Sequence, residues 1–140
     1  MARYSDEINM SEAEERAYLA RLESDPKAIL ISAIVDQNIV ATAGFNPVAS
    51  YEKYRHRAEF GISVKKSYWG MGIGSVLLAA IIESAKTVGF EQLELEVVTN
   101  NDRAVTLYKK HGFQIYGTRK NSFRYRSGAY ASEHLMLLKL

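Results

Sequence analysis

Three glycines at alternating positions are the first residues whose spacing suggests chemistry. Gly70, Gly72 and Gly74 lie between a strand-like run and a long apolar segment. Glycine lets the backbone come close to a ligand, and a helix that begins there offers unpaired N–H groups and the positive end of its dipole. Residues 67–82 contain no charged side chain that could occupy such a site. The pattern predicts an anion-binding site at residues 70–75, here called the cradle, with phosphate as its ligand. The alternative is a tight strand-to-helix turn that binds nothing.

A second block, residues 101–113, reads NDRAVTLYKKHGF. Together with the glycine motif, this block makes the chain resemble the GCN5-related N-acetyltransferase (GNAT) superfamily. The family's first signature, Gln/Arg-x-x-Gly-x-Gly/Ala, falls on residues 69–74, with Trp69 where Gln or Arg is usual. The resemblance covers residues 28–140. The second signature, Asn-x-x-Ala-x-x-Leu-Tyr-x-x-x-Gly-Phe, is matched at every position, by Asn101, Ala104, Leu107, Tyr108, Gly112 and Phe113.

This resemblance implies transfer of an acetyl group from acetyl-CoA to a primary amine by direct attack in a ternary complex. Tyr108 is expected to be the general acid for the departing thiolate, and the alternative is a core aromatic. Glu59, on the strand before the glycine turn, is the expected general base, and the alternative is an exposed or ion-paired strand glutamate. The residues expected to bind acetyl-CoA are Ile62, Ser63, Val64, Trp69, Gly70, Met71, Gly72, Ile73, Gly74, Ser75, Asn101 and Lys110.

Three further residues are weaker candidates. His56 is expected either to relay protons or to be a solvated loop histidine. Tyr130 and Glu133 belong to the last hairpin, close to where relatives hold the acceptor. An aromatic and basic loop around residues 123–125 makes an interface role the alternative there.

Hydrophobic periodicity predicts the elements that position these residues. Helical spacing and capping signals predict helices over residues 11–24, 71–88 and about 101–111. Alternation and turn signals predict strands over residues 28–35, 39–45, 58–64, 93–97, 113–117 and 134–140. The expected fold class is α/β, a mixed and largely antiparallel sheet with a central parallel βαβ unit and helices on both faces. Compared with the family, we expect it to lack the usual first strand and helix, so that the acceptor pocket is open, completed by a partner chain such as a second copy in a homodimer, or not contained in this sequence.

Composition sets the remaining limits. The 140 residues fit one domain, residues 1–140, and 47% of them are hydrophobic, enough for a core. There is no cysteine, and the three histidines are scattered, so no metal site is expected. With no long apolar run and no apolar signal region, we expect a cytoplasmic protein that does not bind membranes.

Two other classes of function remain as alternatives. One is a catalytically silent acyl-CoA-binding or dimerisation module of the same fold. The other is a basic nucleic-acid-binding domain, because residues 103–132 carry seven basic and no acidic residues. Nucleic acid is not the expected partner, since no binding motif accompanies that charge. The expected partner is a small-molecule or peptide amine.

Overall fold

The computed structural model describes residues 25–140, which form one six-stranded sheet and two α-helices. The predicted helix over residues 11–24 and the predicted lack of a first strand and helix lie outside these residues. Two single-turn 3-10 helices, Glu52–Tyr54 and Lys66–Tyr68, lie in the loops. The strands are β1 (Ile29–Val35), β2 (Asn38–Pro47), β3 (Arg57–Val64), β4 (Gln92–Val98), β5 (Gln114–Arg124) and β6 (Tyr130–Lys139), and the helices are α1 (Ile73–Val88) and α2 (Asp102–Lys110).

The order of strands across the sheet is β1-β2-β3-β4-β6-β5. Among the strands of residues 25–140, only β3 and β4 are parallel to each other, and α1 connects them, while every other pair is antiparallel. A crossover helix is what a parallel neighbour requires, because a tight turn can join only antiparallel strands. The predicted mixed sheet with a central parallel βαβ unit is therefore confirmed.

The last hairpin is longer than its sequence predicts. The sequence predicts two short strands, over residues 113–117 and 134–140, with a long loop between them. In the structure, β5 continues to Arg124 and β6 begins at Tyr130. Phe123 and Arg124 thus end a strand, and the turn closes where Tyr125 N–H donates to the carbonyl of Ala129 (2.8 Å). The polar run at residues 118–122 shows no alternation, because β5 is an edge strand whose pairing is irregular between Arg119 and Phe123.

The core lies on one face of the sheet, which we call the helix face. Alternate residues of β2, β3 and β4 are buried there, and both α1 and α2 pack against them. The buried stripe of α1 is Leu77, Leu78, Ile81 and Ala85, as helical spacing predicts. Since both described helices lie on the same face, a helix on the opposite face stays a prediction.

Parallel pairing between β3 and β4 is short. It covers only three residue pairs, from Arg57 with Gln92 to Glu59 with Glu94. Both strands continue beyond these pairs, to Val64 and Val98, without pairing to each other. They therefore diverge, and a cleft of about 830 Å³ opens between them.

Candidate active site

The diverging half of β3 presents a free main-chain edge to this cleft. The carbonyl of Arg57 accepts from the N–H of Val48, the residue after β2 (3.2 Å), and the N–H of Lys65 donates to the carbonyl of Val40 in β2 (2.9 Å). Main-chain groups alternate in direction along a strand, so odd-numbered residues of β3 face β2. Phe60 and Ile62 consequently direct their N–H and carbonyl groups into the cleft. The main chain of Ser63 faces β2 instead, and its contact with acetyl-CoA stays a prediction.

Trp69 fastens the end of β3 to the glycine turn. Its ring Nε1 donates to the carbonyl of Val64 (2.8 Å), so that carbonyl is occupied. The guanidinium of Arg103 lies 4.2 Å from the centre of the indole ring, and the ammonium of Lys66 lies 6.0 Å from it. These contacts explain why an aromatic ring can stand at a position where the family usually has Gln or Arg, and they place two cations beside the turn.

The glycine turn lies at the N-terminus of α1, where the sequence predicts an anion cradle. Gly70 and Gly72 have φ angles of 76° and 82°, a conformation that side chains other than glycine rarely adopt. The first hydrogen bond of the helix runs from Val76 N–H to Gly72 O (3.1 Å). The N–H groups of residues 73–75 therefore have no acceptor within the helix. A Cβ atom at either Gly70 or Gly72 would meet nothing within 4 Å. The cradle is thus open to a ligand and lined by free N–H donors.

The third glycine of the motif has a packing role. A Cβ on Gly74 would lie 3.3 Å from the Leu107 side chain, so the small residue lets α1 approach α2 closely. Next to it, the Ser75 hydroxyl is 2.8 Å from Nε2 of His111, which follows the last residue of α2. Lys110, exposed in the last turn of α2, is the neighbour of His111. The contact brings the C-terminal end of α2 to the cradle, a relationship that the sequence motifs do not reveal.

Tyr108 lies on the helix face of the cleft. Its ring packs edge-on against Phe60 and Phe113, at centroid distances of 5.7 and 5.9 Å, and the residue is only 8% exposed. Within residues 25–140, its hydroxyl makes no hydrogen bond, yet no buried side-chain oxygen lacks a partner there. The hydroxyl therefore reaches the open cleft. Burial raises the pKa of Tyr108 above its ordinary value, which keeps the phenol protonated at neutral pH.

Asn101 caps α2 at the rim of the same cleft. Its side-chain oxygen accepts from the N–H of Ala104 (3.2 Å), which satisfies one free donor of the first turn. Both residues line the cleft. The carboxamide N–H groups of Asn101 remain available to a ligand, because the cap uses only the oxygen.

Glu59 lies at the point where β3 and β4 separate, on the face opposite Tyr108. It is the last residue of β3 that pairs with β4, its side chain is exposed, and it lines the cleft. The carboxylate accepts a long hydrogen bond from Asn46 (3.4 Å). The two predicted catalytic side chains therefore border one cleft from opposite faces of the sheet.

Glu94, the register partner of Glu59, is buried although alternation along β4 predicts that it faces solvent. The guanidinium of Arg57 donates two hydrogen bonds to it, at 2.6 and 2.7 Å, and Gln92 donates a third at 2.9 Å. The bonds from Arg57 hold the pKa of Glu94 below its ordinary value, although burial opposes them. A carboxylate neutralised in this way can be buried on a face that reads as polar in the sequence.

Arg119 organises the acidic side chains further along the cleft. It lies 3.0 Å from the carboxylate of Glu96 and 3.3 Å from that of Glu133. These carboxylates, first the one of Glu96, raise the pKa of Arg119. Glu133 also accepts a hydrogen bond from the Ser122 hydroxyl and is only 8% exposed. Sequence reasoning missed Arg119 because only the pairing of β5 with β6 brings it opposite Glu133.

Two of the weaker candidates do not reach the cleft. Tyr130 is 56% exposed and His56 is partly buried in the loop before β3, and neither contributes to the cleft lining. The carbonyl of His56 instead accepts from Glu91 N–H (2.9 Å), which orients the start of β4. Glu133 is the member of this group that the fold places in the cleft.

Two broader features of residues 25–140 concern metal ions and membranes. No group of three or more His, Asp or Glu side chains there is arranged to hold a metal ion. Neither described helix combines the length and the apolar character that crossing a membrane requires.

Two parallel strands that diverge, with a glycine turn at the start of the helix that connects them, are the geometry expected of an acetyl-CoA-dependent N-acyltransferase, and the family comparison gives that class. The chain belongs to the acetyltransferase (GNAT) family, whose model matches residues 2–113. A GNAT-family acetyltransferase structure from Streptococcus pneumoniae superposes with a TM-score of 0.89 at 30% identity, over 95% of this chain and 79% of that one.

Two other similarities concern the carrier and the acceptor. The yncA structure from Salmonella typhimurium contains acetyl-CoA, and it shares the fold with a TM-score of 0.85 at 18% identity, over 99% of this chain and 79% of its own. The L-amino acid N-acetyltransferase AaaT of Escherichia coli is 28% identical over 134 residues, which are 95% of this chain and 82% of AaaT.

Proposed function

We propose that the protein transfers the acetyl group of acetyl-CoA directly to a primary amine of a small molecule or a protein N-terminus. The observation that carries this proposal is the divergence of β3 and β4. It opens one cleft that is bordered by Tyr108 on the helix face, by Glu59 on the opposite face and by the free edge of β3. A thioester and an amine can thus approach each other from the two faces of the sheet.

The carrier is proposed to bind along the helix face. Free N–H groups of Ile73, Gly74 and Ser75, with the turn at residues 70–72, would hold the pyrophosphate. The amides of the pantetheine arm would pair with the cleft-facing main chain of Phe60 and Ile62, as an added strand does. The hydrogen bond between Trp69 and Val64 would fix the end of that edge. Met71 is exposed beside the cradle. Asn101 and Lys110 would add polar contacts at the two ends of α2.

The transfer step needs one base and one acid. The amine nitrogen forms a bond with the thioester carbon, and the carbonyl oxygen becomes an oxyanion that a main-chain N–H of Phe60 or Ile62 can stabilise. Glu59 accepts the amine proton, directly or through water, and collapse of the intermediate breaks the carbon–sulfur bond. Tyr108 then protonates the thiolate. Because the chain contains no cysteine, no acyl-cysteine intermediate can form, and direct attack is the simpler route.

Binding and turnover test different parts of this proposal. Acetyl-CoA at about 100 times its dissociation constant should stabilise the fold by about 2.7 kcal/mol. Adding amines should then release free thiol in proportion to acetylated product. Binding without thiol release by any amine class would indicate the catalytically silent alternative, and no stabilisation by acetyl-CoA would overturn the proposal.

A further inference from the structure

The cleft is lined by more acidic than basic side chains. Its charged residues are four carboxylates and two guanidinium groups, so the described lining has two surplus negative charges. They are carried by Glu59, Glu94, Glu96, Glu133, Arg57 and Arg119. All of the carboxylates lie on or beside the face opposite the helices, where the proposed function requires the amine to enter.

Both guanidinium groups are already engaged. Arg57 directs its Nε and one terminal nitrogen to the two oxygens of Glu94, which leaves that carboxylate neutralised and 9% exposed. Arg119 divides its donors between Glu96 and Glu133. The charges of both arginines are thus already balanced by carboxylates of this protein, so an incoming carboxylate would compete with them, and leaving Glu94 or Glu133 buried without a partner is costly.

From these charges, and on the basis of the proposed function, we infer the class of acceptor. The acceptor is a cationic primary amine that has no carboxylate beside its amino group. An ammonium ion complements the surplus negative charge and is concentrated in the cleft before it loses a proton to Glu59. A carboxylate on the neighbouring carbon would be repelled by the same charges, and within residues 25–140 it would find no free cation in the cleft lining. This chemistry differs from that of a free amino acid, the acceptor in the name of the relative AaaT.

The test compares matched acceptors with the full-length protein and acetyl-CoA. Thiol release is measured for L-alanine, L-alaninamide and 1,4-diaminobutane at one pH, with kcat/KM expressed per total amine, because the ammonium form is the one expected to enter the cleft. The amide and the diamine should exceed the amino acid by about tenfold or more, and added salt should narrow the difference because it screens the charges.

One variant separates cleft charge from the intrinsic reactivity of the amines. Glu96→Gln removes one negative charge from a half-exposed position and leaves Arg119 with spare donors. The ratio of amide to amino acid activity should then fall at least threefold, whereas Glu91→Gln, an exposed position outside the cleft lining, should leave it unchanged.

The outcomes distinguish the inference from the function on which it rests. Turnover with the amino acid equal to or above its amide would overturn the inference while the acetyltransferase function stands, and would assign the carboxylate to a cation outside residues 25–140. An unchanged ratio in Glu96→Gln would equally overturn it. No turnover with any of the amines would refute the proposed function itself.

Discussion

Replacing Tyr108 with phenylalanine tests the assignment of the general acid. The substitution keeps the ring that packs against Phe60 and Phe113 and removes only a hydroxyl that bonds to nothing else within residues 25–140. The free energy of unfolding should therefore change by less than about 1 kcal/mol. General acid catalysis contributes about 10²- to 10⁴-fold. At about 1.36 kcal/mol for each tenfold change in rate, the barrier should rise by about 3–5 kcal/mol.

The assay is steady-state thiol release at saturating amine, with acetyl-CoA binding measured separately. Tyr108→Phe should lower kcat and leave the dissociation constant of acetyl-CoA within about twofold, because the cradle and the β3 edge are untouched. Burial raises the pKa of Tyr108 above 10.0, so the loss should be uniform between about pH 7 and pH 9. Tyr125→Phe, in the turn of the last hairpin, is the matched control. A kcat that survives in Tyr108→Phe while the fold and acetyl-CoA binding are intact would refute the acid role.

Three further predictions address the base, the cradle and the buried ion pair. Glu59→Gln should lower kcat by about 10²-fold. This loss of kcat should shrink as pH approaches the amine pKa of about 10.4, because solvent then deprotonates the acceptor. A loss of kcat that does not change with pH would contradict the role of Glu59 as base. Gly72→Asp should weaken acetyl-CoA binding by about tenfold more than Gly72→Asn. Asparagine is the control because it has a similar shape and imposes a similar backbone strain without the negative charge. Equal affinities of the two variants in calorimetry would contradict an anion cradle. The folded-state pKa of Glu94 is lowered, so its stabilising effect is present above its ordinary pKa of 4.5 and is lost as pH falls through the lower folded value. Acid unfolding should consequently be less steep with pH in Glu94→Gln than in the parent, and identical acid titrations would show that the pair with Arg57 adds no pH-dependent stability.

The elements and motifs could be predicted because their signals are local. Alternating apolar residues in β4, helical spacing in α1 and a glycine that adopts positive φ at residue 72 each follow from backbone geometry within a few residues. The hairpin of β5 and β6 was missed over half its length because an exposed edge strand needs no alternation. A strand with one buried face shows hydrophobic alternation in its sequence, whereas a strand with both faces exposed to solvent does not.

What the sequence determined by itself is the family resemblance, the parallel unit, the glycine turn and the identity of Tyr108 and Glu59 as candidates. Only the tertiary structure decided that β3 and β4 separate after three residue pairs, and which side chains meet across the opening. The contacts of Arg57 with Glu94 and of Ser75 with His111 join residues 37 and 36 positions apart. Spacing of that kind follows from the path of the chain through the whole sheet, because no periodicity of a single helix or strand encodes the distance between two elements.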